Sequence, residues 1–219
     1  MRQNISLAEI SDGHLYKAND MVKADCGGCE GCSQCCRGMG SSIILDPYDV
    51  YRLTTGIGKS MQELLATSVE LNVVDGVILP NLKMQGTREA CAYLDVEGRC
   101  SIHPYRPGIC RLFPLGRHYE NGGLFYFLQT GECAKENRSK VKVSKWIDTP
   151  ELKRNEQFKL QWHDLLSAMT DRVVGEDEGK QREENLLLLR LFYLLPYEGT
   201  TDFYSQFTER MEHWNEQIG

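Results

Sequence analysis

Through the last third of the chain, apolar residues recur at helical spacing. Phe158, Trp162, Leu165, Met169 and Val173 mark one face of a helix that starts at Thr149-Pro150. A second helix spans roughly 180 to 195, and a third carries Phe203, Phe207, Met211 and Trp214. Such stripes read as core-facing surface rather than as cofactor-binding faces. Nearer the start, Asp46, Pro47 and Asp49 supply an N-cap, a first-turn proline and a first-turn acid, which predicts a short helix ending at Gly56. Ser60 and Glu63 have capping-box spacing ahead of Leu64, Leu65 and Val69, so a second short helix follows.

The middle of the chain reads as strands and turns. In "CAYLDVEGRC", turn residues from Asp95 to Gly98 separate two short apolar segments, and "FPLGRHYENGGLFYFLQTGEC" centres on Asn121-Gly122, a strong hairpin signal. A two-residue turn there pairs Glu120 with Gly123 and, continued outward, sets Cys110 opposite Cys133. Closing the first hairpin with Leu94 opposite Arg99 sets Tyr93 opposite Cys100, which makes Cys91 and Cys100 diagonal neighbours about 7 Å apart at the backbone. All nine cysteines precede residue 145, where the pattern turns helical. The expected class is α+β: an irregular cysteine-rich region over 1–145 with short β-hairpins, and a helical region over 146–219 packed on it.

Composition narrows the function. With 41% hydrophobic and 26% charged residues in 219, the chain is an ordinary globular sequence. Its formal charge of -6 repels a phosphate backbone, which argues against nucleic acid as a partner. The first twenty residues contain no apolar run of signal-peptide length, and the richest apolar run, LLLLRLFYLL at 186 to 195, is about half a membrane span and carries Arg190. The expectation is a soluble cytoplasmic protein without a membrane partner, whose thiols stay reduced. Nine cysteines is also an odd number, so a complete disulfide framework would leave one over.

The thiols are where the chemistry concentrates. Cys26, Cys29, Cys32, Cys35 and Cys36 repeat the CxxC spacing three times, with Gly27, Gly28 and Gly31 between them allowing close backbone approach. Thiolates at this spacing bind soft or borderline metals, and five in eleven residues is far denser than buried free cysteines require. The adjacent pair Cys35-Cys36 is expected to point its two sulfurs apart, serving different metal atoms of a polynuclear site. With Cys91, Cys100, Cys110 and Cys133, the whole set suffices for two four-thiolate zinc sites or two four-iron, four-sulfide (4Fe-4S) clusters. The adjacent pair, the serial CxxC spacing and the wide separation expected for Cys91 and Cys100 favour an iron-sulfur cluster over zinc.

Cys29-x2-Cys32-x2-Cys35-Cys36, followed by "CSIHPYRPGICRLFP" at 100 to 114, resembles the CxxCxxCC cysteine-cluster family of zinc- or iron-chelating domains. The resemblance covers about 26 to 133 and implies a metal site more than an activity. It carries ligand roles onto Cys29, Cys32, Cys35, Cys36, Cys100 and Cys110, with Cys91 and Cys133 at positions where relatives also tend to carry cysteine; Cys26 is an additional repeat. A similar cluster occurs in bacterial flagellin lysine methylases, where the resemblance implies an iron-sulfur centre used with S-adenosylmethionine.

Other candidates are less specific. Arg106 and Arg111 flank Cys110 and are candidates to offset cluster charge or to anchor an anionic substrate. His103, three residues after Cys100, has the chemistry of a ligand but opens a turn before Pro104, which favours a structural role. "GMGSS" at 38 to 42 reads as packing rather than as an anion cradle, and the basic "RSKVKVSK" at 138 to 145 reads as a solvated face or linker. No hydrolase, metalloprotease or nucleotide-binding signature is present, so no catalytic residue is assigned and enzyme status stays open. The leading expectation is one or two iron-sulfur clusters serving a redox or cluster-assisted transfer reaction with a redox partner or protein substrate. A zinc-chelating structural or interaction module and a metal-handling protein are the alternatives.

Overall fold

The computed structural model describes residues 7–27, 32–135, 137–173 and 177–218. In chain order the elements begin with α1 (Leu7–Ile10), β1 (Met21–Asp25), α2 (Pro47–Ile57), α3 (Met61–Thr67), β2 (Val69–Val74) and β3 (Val77–Leu82). There follow β4 (Met84–Gln85), β5 (Ala90–Cys91), α4 (Gly108–Leu112), β6 (Leu115–Glu120), β7 (Gly123–Leu128) and β8 (Ser139–Lys142). The chain closes with α5 (Val143–Ile147), α6 (Leu152–Val173), α7 (Glu178–Leu189) and α8 (Phe203–Ile218). The class is α+β, with strands in antiparallel pairs. Two compact units form, one from 1–40, 84–101 and 108–160, the other from 41–83, 102–107 and 161–219. Every described cysteine belongs to the first.

In the first unit, Asn121 and Gly122 both adopt positive φ, as a two-residue turn needs, and β6 pairs with β7 from Glu120–Gly123 out to Leu115–Leu128. The expected continuation to Cys110 opposite Cys133 does not occur. Pro114 has no N–H to extend the ladder, and the residues before it coil into α4. Gly116 is required where it stands, since a Cβ there would come within 2.2 Å of the Phe127 ring. Residues 11 and 16 bridge to the far side of β7 at Gln129 and Tyr126. The "RSKVKVSK" segment is a solvated face rather than a linker: it forms β8, paired with β1 and with Lys140 and Lys142 exposed, and runs into α5. Val22, Ala24, Leu115, Tyr126, Val143 and Ile147 bury one shared apolar core between these pieces. Lys159, on α6, is only 4% exposed. Its ammonium lies 5.3 Å from the Phe158 ring centre, and burial pulls its pKa down to about 7.

In the second unit the N-cap at Asp46 and the capping box at Ser60 form as the sequence predicts, and Asp49 completes a capping box at Asp46 as well. The Asp46 carboxylate accepts the Asp49 N–H and the Asp49 carboxylate accepts the Asp46 N–H; Ser60 and Glu63 do the same for α3. Helix α2 ends at Gly58, in the left-handed region, rather than at Gly56. Gly56 lies inside the helix, and glycine is needed there because a Cβ would overlap the Tyr105 ring. The β2–β3 hairpin turns on Asp75-Gly76, a signal as strong as Asn-Gly that the pattern reading above passes over. Asn185 on α7 accepts the Ile78 N–H at 2.6 Å and donates to the Gly76 carbonyl. Trp162, Leu165 and Met169 are buried as the stripe predicts, as are Phe203, Phe207 and Trp214, whereas Met211 is half-buried. The Val173 side chain lies outside the described residues. The helix expected over 180–195 is α up to Leu189 and π over Arg190–Leu194. Arg210 donates to the Leu191, Leu195 and Pro196 carbonyls at that end. Among the described residues no helix is long and apolar enough to cross a membrane.

Candidate metal centre

Strand β1 delivers the chain to Cys26, and the Asp25 carboxylate accepts the Gly27 N–H at 3.0 Å, starting the loop with a local turn. Cys29 lies outside the described residues. Gln34–Cys36 then form a single 3₁₀ turn, which Arg37 leaves in extended conformation. Arg37 bridges to Ala90, and Gly38 donates to the Glu89 carbonyl at 2.9 Å, so the turn lies along β5, which carries Cys91. On its other side β5 pairs with β4, Met84 opposite Cys91. This small hairpin has no period-2 pattern to announce it; Gly86, with positive φ at its turn, is the signal that marks it.

The loop from Cys91 to Ser101 differs from its expected register. Leu94 stands opposite Cys100 instead of Arg99, and Ser101 instead of Cys100 bonds to Tyr93. The reason is Asp95, whose carboxylate accepts both the Glu97 and Arg99 amides and wraps five residues into the turn instead of four. A Cβ on Gly98, at the tip, would stand 3.7 Å from the Ser33 hydroxyl, so this loop reaches back to the first cysteine run. Cys110 approaches from a fourth segment, the helical turn α4. That turn is held by the Trp146 indole donating to the Leu112 carbonyl and by Arg111 donating to the Ile147 carbonyl.

These supports draw thiols together. The Cys35 side chain hydrogen-bonds that of Cys36 and is the largest influence raising the Cys36 pKa, followed by burial and by the nearby thiols of Cys35, Cys110 and Cys100. Burial also pushes the Cys91 thiol up, assisted by Cys100 and Cys35 and opposed by a hydrogen bond from the Tyr93 backbone. Cys36 is thus within electrostatic reach of Cys35, Cys100 and Cys110, and Cys91 of Cys35 and Cys100, which links these five thiols into one group. The sulfurs of the adjacent pair meet rather than diverge, because residues in a helical turn do not alternate sides as they do in a strand. Cys26, Cys32 and Cys133 are half-buried in the same unit.

Arg111 is committed to α5. Beyond the Ile147 carbonyl, its guanidinium lies 3.7 Å from the Asp148 carboxylate. Arg106 belongs to the second unit and contacts the His103 ring nitrogen at 2.7 Å. Among the described residues no three His, Cys, Asp or Glu side chains take up the arrangement of a single-ion site. The donor chemistry nevertheless suits a thiophilic cation: half-buried thiols that raise one another's pKa are groups whose thiolate forms a cation would stabilise.

No curated protein and no solved structure matches this chain. Residues 28–139, just over half of it, match the CxxCxxCC family, described as "Putative zinc- or iron-chelating domain". The matched stretch contains the five gathered thiols, and the chain belongs to the CxxCxxCC family of metal-binding domains.

Proposed function

We propose that the protein holds an iron-sulfur centre through Cys35, Cys36, Cys91, Cys100 and Cys110, and that this centre serves a redox or cluster-assisted transfer reaction in the cytoplasm. The observation that carries the reading is the gathering of five thiols from four chain segments. A closed zinc site and a four-iron cluster each take four thiolates, so the count does not choose between them; the serial CxxC spacing, as in ferredoxin-like runs, favours the cluster. Cys26, Cys29, Cys32 and Cys133 are the set available for a second centre, which the serial CxxC spacing suits. When bound, such a cluster supplies one-electron chemistry or an open iron site. The protein's own residues contribute the burial and fixed loop geometry that set its potential.

Anaerobic purification after iron-replete expression tests this. The protein should be brown, lose visible absorbance with dithionite, and contain sulfide in proportion to iron. A colourless, sulfide-free protein carrying stoichiometric zinc would refute the redox reading and leave a structural zinc module in its place. Metal that leaves under mild chelation would point instead to metal handling.

A further inference from the structure

We propose that the outer face of the β1–β8 ribbon docks an acidic segment of a partner protein beside the cysteine-rich loop. Strand alternation sends Val22, Ala24 and Val141 toward the core and puts Met21, Lys23, Lys140 and Lys142 together on the opposite face. All four are exposed, Met21 by 52%. Among the described residues, none of these three lysines forms a salt bridge or a side-chain hydrogen bond. Asp25, at the end of the ribbon, has its carboxylate engaged by the Gly27 N–H and the Ser139 hydroxyl. The face thus gathers three lysines against the Asp25 carboxylate at its end, a local excess of positive charge among the described residues in a chain of net charge -6.

Its position gives the charge a purpose. Lys23 precedes Cys26 by three residues, a reach of at most about 11 Å along the chain, and β8 follows the Cys133 loop. A partner seated on the lysines is thereby brought next to that end of the metal-binding region, and charge complementarity of this kind chiefly speeds and orients encounter. The ribbon also selects the class of partner. Four-residue β8 is about 13 Å long, matching a short acidic segment. An extended polyanion such as duplex nucleic acid or an anionic bilayer would meet the net negative charge of the rest of the chain. The purpose, though not the docking itself, rests on the metal-centre reading above.

The test is fluorescence anisotropy of a labelled deca-glutamate peptide titrated with the full chain as purified. Binding at about 20 mM salt should weaken about tenfold or more at about 300 mM, where charge screening is strong. The triple variant Lys23→Glu, Lys140→Glu, Lys142→Glu should lose it, with an unchanged circular-dichroism spectrum. Lys59→Glu with Lys83→Glu, two exposed lysines of the second unit, should retain it. No binding by the wild-type chain, equal weakening in both variants, or tighter lysine-dependent binding of phosphatidylserine vesicles or a duplex oligonucleotide would each overturn the proposal. The peptide assay needs no cluster, so a colourless protein would sink the redox reading while leaving this result to stand or fall alone.

Discussion

Lys159 carries a pH-dependent penalty that a single substitution should remove. The residue is 4% exposed, and burial lowers its pKa from 10.5 to about 7. Between those values the unfolded chain binds a proton that the folded chain does not, so stability rises with pH across the window. This lysine's full contribution is present above about pH 10.5 and is lost as pH falls toward 7. At about 1.4 kcal/mol per pH unit, the penalty is roughly 4 kcal/mol at pH 7 and roughly 2 kcal/mol at pH 9. Lys159→Met keeps most of the buried volume and removes the charge. Allowing about 1 kcal/mol for lost polar contacts, the variant should be about 3 kcal/mol more stable than wild type at pH 7, and the advantage should shrink by about 2 kcal/mol at pH 9. Urea unfolding of both proteins at the two pH values measures this, and because they share every thiol, cysteine titration cancels from the difference. A gap that does not change with pH, or a variant less stable at pH 7, would show that Lys159 stays charged and paired in the folded state.

Further substitutions address the centre and its scaffold. Cys36→Ser and Cys110→Ser should each lose more bound metal and more thermal stability than Cys26→Ser, because the first two belong to the gathered five and metal binding adds to folding stability; equal losses by metal analysis and melting temperature would make Cys26 a full ligand. Gly116→Ala should destabilise by about 1–3 kcal/mol in urea unfolding, since its Cβ meets the buried Phe127 ring; an unchanged midpoint would show that the ring moves aside freely.

Local chemistry was legible in the sequence wherever one short segment decided the outcome. The N-cap at Asp46, the capping box at Ser60 and the Asn121-Gly122 turn need only residues within four positions of one another, and they form as expected. The apolar stripes of α6 and α8 are equally local, because helical spacing alone decides which residues share a face. The CxxC repeats likewise announce metal chemistry before any fold is known, since reduced thiols at that density have few other uses.

Relations between segments were settled by the tertiary structure. Hairpin register extended outward from Asn121-Gly122 sets Cys110 opposite Cys133, but Pro114 ends the ladder and α4 takes over. Asp95 shifted the Cys91–Cys100 loop by one residue through two side-chain hydrogen bonds that its spacing did not reveal. The meeting of Cys35 and Cys36 with Cys91, Cys100 and Cys110 depends on Arg37 pairing with Ala90 and on Trp146 and Arg111 holding α4. The lysine face exists only because β1 pairs with a strand more than a hundred residues away. Spacing along a chain determines which side chains share a turn or a face, whereas the approach of distant segments depends on which backbone groups and core surfaces find partners, and that is decided only by the whole fold.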